Sequence, residues 1–130
     1  MTPAAIRQTW IAAIVVLVVA IAAASLAPQL PVTVESISDK VWHFLAYLTL
    51  ALSGSAIATP ERLWRVMLRC FLLGAALELG QGAFTAARNP EWADLAANSA
   101  GIAAAWLIAG RGRAGWGLRA GAWLARRRER

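Results

Sequence analysis

The chain has a single cysteine, a single histidine, a single tyrosine and only seven acidic residues in 130. With Cys70 alone there is no intrachain disulfide and no multi-cysteine metal site. HExxH and paired-cysteine patterns are also absent, so no metal and no cofactor is assigned. No repeat and no independent second domain is visible, and the length fits one domain. Acid is scarce against 13 Lys and Arg, giving a formal net charge of +6. Seven arginines follow the last apolar run, at 111, 113, 119, 126, 127, 128 and 130. Their position beside a hydrophobic segment favours contact with anionic lipid over nucleic acid, which is not expected as a partner.

What the chain has in quantity is apolar residues: 59% of the total, with a mean hydropathy of +0.55. A soluble domain this small has too little interior for four long apolar runs, so the expectation is an all-α, polytopic membrane protein. Four spans are expected, at about 10–27, 41–58, 70–87 and 92–110, followed by a basic cytoplasmic tail over 111–130. The first run, Trp10 to Ala27, reaches about 27 Å at about 1.5 Å per residue. It also resembles a signal peptide, but the three apolar segments behind it argue against cleavage.

Pro28 and Pro31 end the first helix, and Ser36 with Asp39 has the spacing of a capping box for the second. Thr59-Pro60-Glu61 and Asn89-Pro90-Glu91 each read as cap, first-turn proline and first-turn acid. Residues 61–69 alternate charge and apolar character at helical spacing, as an interfacial segment would. Arginine counts in the flanks place both termini in the cytoplasm of a bacterial inner membrane, with Trp10, Trp42, Trp64 and Trp92 near span ends. Glycines at 112, 115, 117 and 121 weaken any amphipathic helix in the tail.

This topology brings the polar residues of the later spans to one side. Asp39, His43 and Tyr47 recur at four-residue intervals, Glu78 and Gln81 lie three apart, and Asp94 and Asn98 lie four apart. Lys40 and Arg88 belong to the same level. A carboxylate in the middle of a span costs several kcal/mol if it faces lipid, so Glu78 should face the bundle, hold its proton or pair with a cation. Small residues at Gly74, Gly80, Gly82, Ala97 and Gly101 allow backbones to approach. The expected object is an outward-facing polar pocket.

The series Asp39-Lys40-x-x-His43-Phe44-x-x-Tyr47, Glu78-x-x-Gln81, Arg88 and Asp94-x-x-x-Asn98-x-x-Gly101 resembles the pattern of VanZ-like membrane proteins. The resemblance covers about residues 36 to 108. It implies a glycopeptide-resistance-related protein of the cell envelope, although the short loops offer little surface for a ligand as large as teicoplanin. The family's shared polar positions fall on Asp39, Lys40, His43, Glu78, Gln81, Arg88, Asp94 and Asn98.

Three readings of the pocket stay open. In the first, His43, Glu78 and Asp94 are catalytic, and Asp39, Lys40, Tyr47, Gln81, Arg88 and Asn98 bind a lipid headgroup or a lipid-linked, phosphate-bearing envelope precursor. A metal-assisted version would recruit His43, Glu78 and Asp94 as ligands. In the second, the same groups bind or transport a lipid, peptide or ion without chemistry, and transport through so few helices requires a homo-oligomer. In the third, the polar network only joins helices.

Overall fold

The computed structural model describes residues 2–27, 36–84 and 91–128, and every regular element among them is helical. Helix α1 spans Pro3–Leu26, α2 Ser36–Ser55, α3 Leu63–Phe84, α4 Trp92–Ala109 and α5 Trp116–Arg128, with a 3-10 turn over Pro60–Arg62. Helix α1 starts at Pro3, ahead of the expected start at Trp10: Thr2 accepts from the Ala5 amide at 3.2 Å, and Pro3 occupies a first-turn position where no amide hydrogen is needed. Pro60 opens the 3-10 turn for the same reason, behind an extended Thr59.

The core lies where α2, α3 and α4 meet, with α1 laid across them. Tyr47, Leu50 and Ala51 of α2 pack with Leu63, Met67 and Cys70 of α3 and with Ile102, Ala105 and Ala109 of α4. The closest crossing is α2 on α4 at Gly101. A Cβ there would stand 2.3 Å from the Phe44 carbonyl oxygen and 2.9 Å from the Leu48 nitrogen, so only glycine lets the two backbones touch. This contact sets His43, just before Phe44, beside Asn98, just before Gly101 along the same face of α4.

The expectation of four membrane spans is corrected here. Among the described residues one helix, α1, is long and apolar enough to cross a membrane, with a mean hydropathy of 2.6. The other runs carry charge within their helices: Asp39 and Lys40 in α2, Arg65, Arg69 and Glu78 in α3, Asp94 in α4. Much of their apolar character is spent on packing against one another, which a hydropathy profile cannot distinguish from contact with lipid. Some large apolar side chains remain outside, among them Val16, Trp42, Leu79 and Trp92. With one such helix in place of four, the four-span bundle with both termini cytoplasmic and the multi-pass inner-membrane location are both set aside.

Helix α3 begins at Leu63, so most of the 61–69 segment is the first part of that helix and not a separate interfacial piece. The basic tail is ordered as α5. Positive φ at Gly112 and Gly115 turns the chain after α4, and the Gly115 and Gly117 amides donate to the Ser55 and Ala56 carbonyls at 2.8 and 3.1 Å. Trp116 then meets Trp10 edge to face, ring centroids 5.0 Å apart.

Candidate functional site

The polar residues gather around His43, about two turns into α2. Its ring is half-buried and faces a different environment on each nitrogen. Nδ1 lies 3.0 Å from Asn98 Oδ1 and 4.0 Å from Glu78 Oε1. Nε2 lies 3.9 Å from Asp39 Oδ1 and 3.8 Å from Asp94 Oδ2. An amide oxygen can only accept, so Nδ1 is the donor in the bond to Asn98. In the neutral ring the lone pair is then at Nε2, directed toward the two aspartates.

Lys40 organises the carboxylates from the other side. Its Nζ contacts Asp94 Oδ1, lies 2.6 Å from Glu91 Oε2, and stands 3.5 Å from Asp39 Oδ2. Asp39 and Asp94 therefore each give one oxygen to Lys40 and turn the other toward His43. Burial works against the Lys40 ammonium, but hydrogen bonds to Asp94 and Glu91 and the charges of both outweigh it, so its pKa rises above the ordinary lysine value. Asp94 is 1% exposed, and its Oδ2 is buried with no hydrogen bond among the described residues. Three carboxylates, of which only Asp94 is buried, share this one ammonium.

Asp39, His43 and Asp94 each offer an atom within 4.8 Å of the others, a grouping that could hold a cation. The metal-assisted reading of the sequence recruits Glu78 with His43 and Asp94; the three groups that lie together here are Asp39, His43 and Asp94, and Glu78 approaches the opposite ring nitrogen. A cavity of about 350 Å³ between α1 and α2 reaches the site and is lined by Ser25, Asp39, Trp42, His43 and Tyr47.

The remaining expected site residues fall in three places. Glu78 and Gln81 are buried on α3, and the Gln81 side-chain amide donates to the Ser25 carbonyl at 2.7 Å, tying α3 to the end of α1. Tyr47 is buried below His43, and burial followed by the charge of Glu78 raises its pKa. Arg88 lies outside the described residues. Glu91, which reads in the sequence only as a helix-start acid, is the site residue that sequence reasoning misses. It stands three positions before Asp94, a spacing that places both on one face toward Lys40.

The chain matches no protein-family model, no curated protein and no solved structure. The VanZ-like resemblance is accordingly set aside, since its polar motif forms a compact ion-pair cluster with a candidate metal triad in a bundle having one membrane-length apolar helix. Action on a lipid headgroup or envelope precursor, glycopeptide resistance, and membrane lipids as partners rested on that resemblance and on four spans, and go with them.

Proposed function

We propose that this chain is an ion-binding protein whose Asp39, His43 and Asp94 take a divalent first-row metal ion, with Zn²⁺ as the working example. The observation that carries the reading is the convergence of His43 Nε2 with two carboxylate oxygens, one of them the buried Asp94 Oδ2. Three lone-pair-bearing atoms aimed at one point repel one another unless something positive sits between them. A proton on Nε2 is a poor bridge, because 3.8 and 3.9 Å exceed a hydrogen bond. Bonds of about 2.0–2.2 Å set tetrahedral ligands roughly 3.3 Å apart, so on binding an ion the two His43–carboxylate distances would shorten by about half an ångström and all three atoms, within 4.8 Å of one another in its absence, would draw together.

The donor set also selects the ion. One imidazole and two carboxylates suit Zn²⁺ and its first-row neighbours and offer no thiolate for softer ions. Asn98 fixes the His43 tautomer, and Lys40 holds the second oxygen of each aspartate, the usual work of groups one step removed from a metal. On this reading His43 and Asp94 are ligands, and Glu78 lies outside the set.

Elemental analysis and calorimetric Zn²⁺ titration of the purified full chain test the proposal. One ion per chain is expected, with binding lost in His43→Ala and Asp94→Asn and kept within a few-fold in Glu78→Gln. Absence of saturable Zn²⁺ binding by the folded chain, or full affinity in folded His43→Ala, would overturn it.

A further inference from the structure

The other end of α2 borders a second cavity of about 440 Å³, between α1, α2 and α3, that the metal reading does not use. Its rim carries Arg7 from the start of α1, Arg62 from the 3-10 turn, and Arg65 and Arg69 from α3. The last three follow the helical repeat that the sequence displays over 61–69, which turns them to a common side. Its walls are apolar, with Ile14 and Val18 of α1 facing Leu50 of α2 and Leu73 of α3. No Asp or Glu lines it among the described residues. Arg65 is partly occupied, its guanidinium lying 5.4 Å from the Trp64 ring.

These features are complementary to one kind of molecule. Gathered guanidinium groups without an acid repel one another and favour an anion, and the planar fork of arginine matches a carboxylate in two places at once. A small inorganic anion would leave the apolar walls in contact with water. A neutral apolar molecule would leave the arginines uncompensated, and a polyanion such as nucleic acid cannot enter a cavity between helices. The volume lies within the roughly 300–1,000 Å³ of small-molecule sites. We propose that this cavity binds a free single-chain carboxylate, its head at Arg62 and Arg69 and its alkyl chain between α1 and α3.

Calorimetric titration of the full chain with sodium decanoate, below the concentration at which it forms micelles, tests the assignment. One saturable site is expected, with decanol at least about tenfold weaker because it lacks the charge. The Arg62→Gln/Arg69→Gln double variant should lose about tenfold or more, and Arg62→Lys/Arg69→Lys should recover part of that loss. Val18→Trp fills the cavity and should abolish binding, while Arg111→Gln, which removes an exposed arginine outside the cavity lining, should leave it unchanged. The arginines are exposed, so their replacement keeps the fold and carries the test if Val18→Trp does not fold. Equal affinity for decanol, unsaturable uptake, or an undiminished affinity in the double glutamine variant would refute the proposal.

Discussion

Replacing Asn98 by alanine is the perturbation whose consequence is tied most closely to the geometry. The change deletes the oxygen 3.0 Å from His43 Nδ1 and leaves every proposed ligand in place. Without that acceptor the imidazole is free to exchange tautomers and to turn Nε2 away from Asp39 and Asp94. Loss of such a partner typically weakens metal binding by about 10–100-fold, or roughly 1.4–2.7 kcal/mol. Asn98 is also buried, so a cost of about 1–3 kcal/mol to the metal-free fold is expected separately. Thermal melts in chelator and in Zn²⁺ separate the two effects. At a free Zn²⁺ concentration about 100 times the wild-type Kd, the ion should stabilise the wild type by about 2.7 kcal/mol. A variant binding about 100-fold more weakly should gain only about 0.4 kcal/mol under the same condition. Asn98→Asp keeps an acceptor at this position and should restore most of the affinity. A folded Asn98→Ala chain with wild-type Zn²⁺ affinity would refute the claim that Asn98 orients the ligand.

Three further outcomes are expected. Lys40→Gln should destabilise the metal-free chain by about 1–3 kcal/mol, because buried Asp94 loses its counter-charge, and Zn²⁺ should restore more stability to it than to the wild type, as read by paired thermal melts. Gly101→Ala forces a Cβ against the Phe44 carbonyl, so a loss of about 1–3 kcal/mol or more in urea unfolding should accompany a loss of Zn²⁺ affinity as α4 shifts from His43. Burial pushes the Cys70 thiol up to about 11, so at pH 8 it stays protonated and should react with iodoacetamide far more slowly in the folded chain than in denaturant.

Most of the helices are legible in the sequence, because Thr59-Pro60 punctuates the chain and the apolar runs have helical length, whereas the Thr2-Pro3 cap goes unread and α1 begins at Pro3 instead of Trp10. Their environment is not. Leu50, Met67 and Ile102 raise hydropathy equally whether they meet lipid or one another, and only the packing of α2, α3 and α4 decides. The tail misleads for a related reason. Gly117 and Gly121 lower intrinsic helix propensity, yet at both positions a Cβ would stand 2.6 Å from α1, from Trp10 and Ile6 respectively. Their small size is what lets α5 dock, and tertiary contact overrides propensity.

At the site, the spacings of Asp39 with His43 and of Asp94 with Asn98 are readable as shared helix faces, and in the structure Asp39, Asp94 and Asn98 all approach the His43 ring. Which carboxylate meets which ring nitrogen is not readable, since it depends on the rotation of α3 and α4 about their axes. For that reason Glu78, read from the sequence as a catalytic partner of His43, lies on the Nδ1 side in space, and Asp39, read as a binding residue, lies on the Nε2 side. Glu91 is hidden because its contact with Lys40 joins residues 51 apart.

Anomalous diffraction from crystals of the full chain grown with Zn²⁺ locates the ion against its three proposed ligands. One peak is expected about 2.0–2.2 Å from His43 Nε2 and from an oxygen each of Asp39 and Asp94, with Nδ1 still bonded to Asn98. A peak on the Nδ1 side beside Glu78, or none at this site in Zn²⁺-saturated crystals, would contradict it.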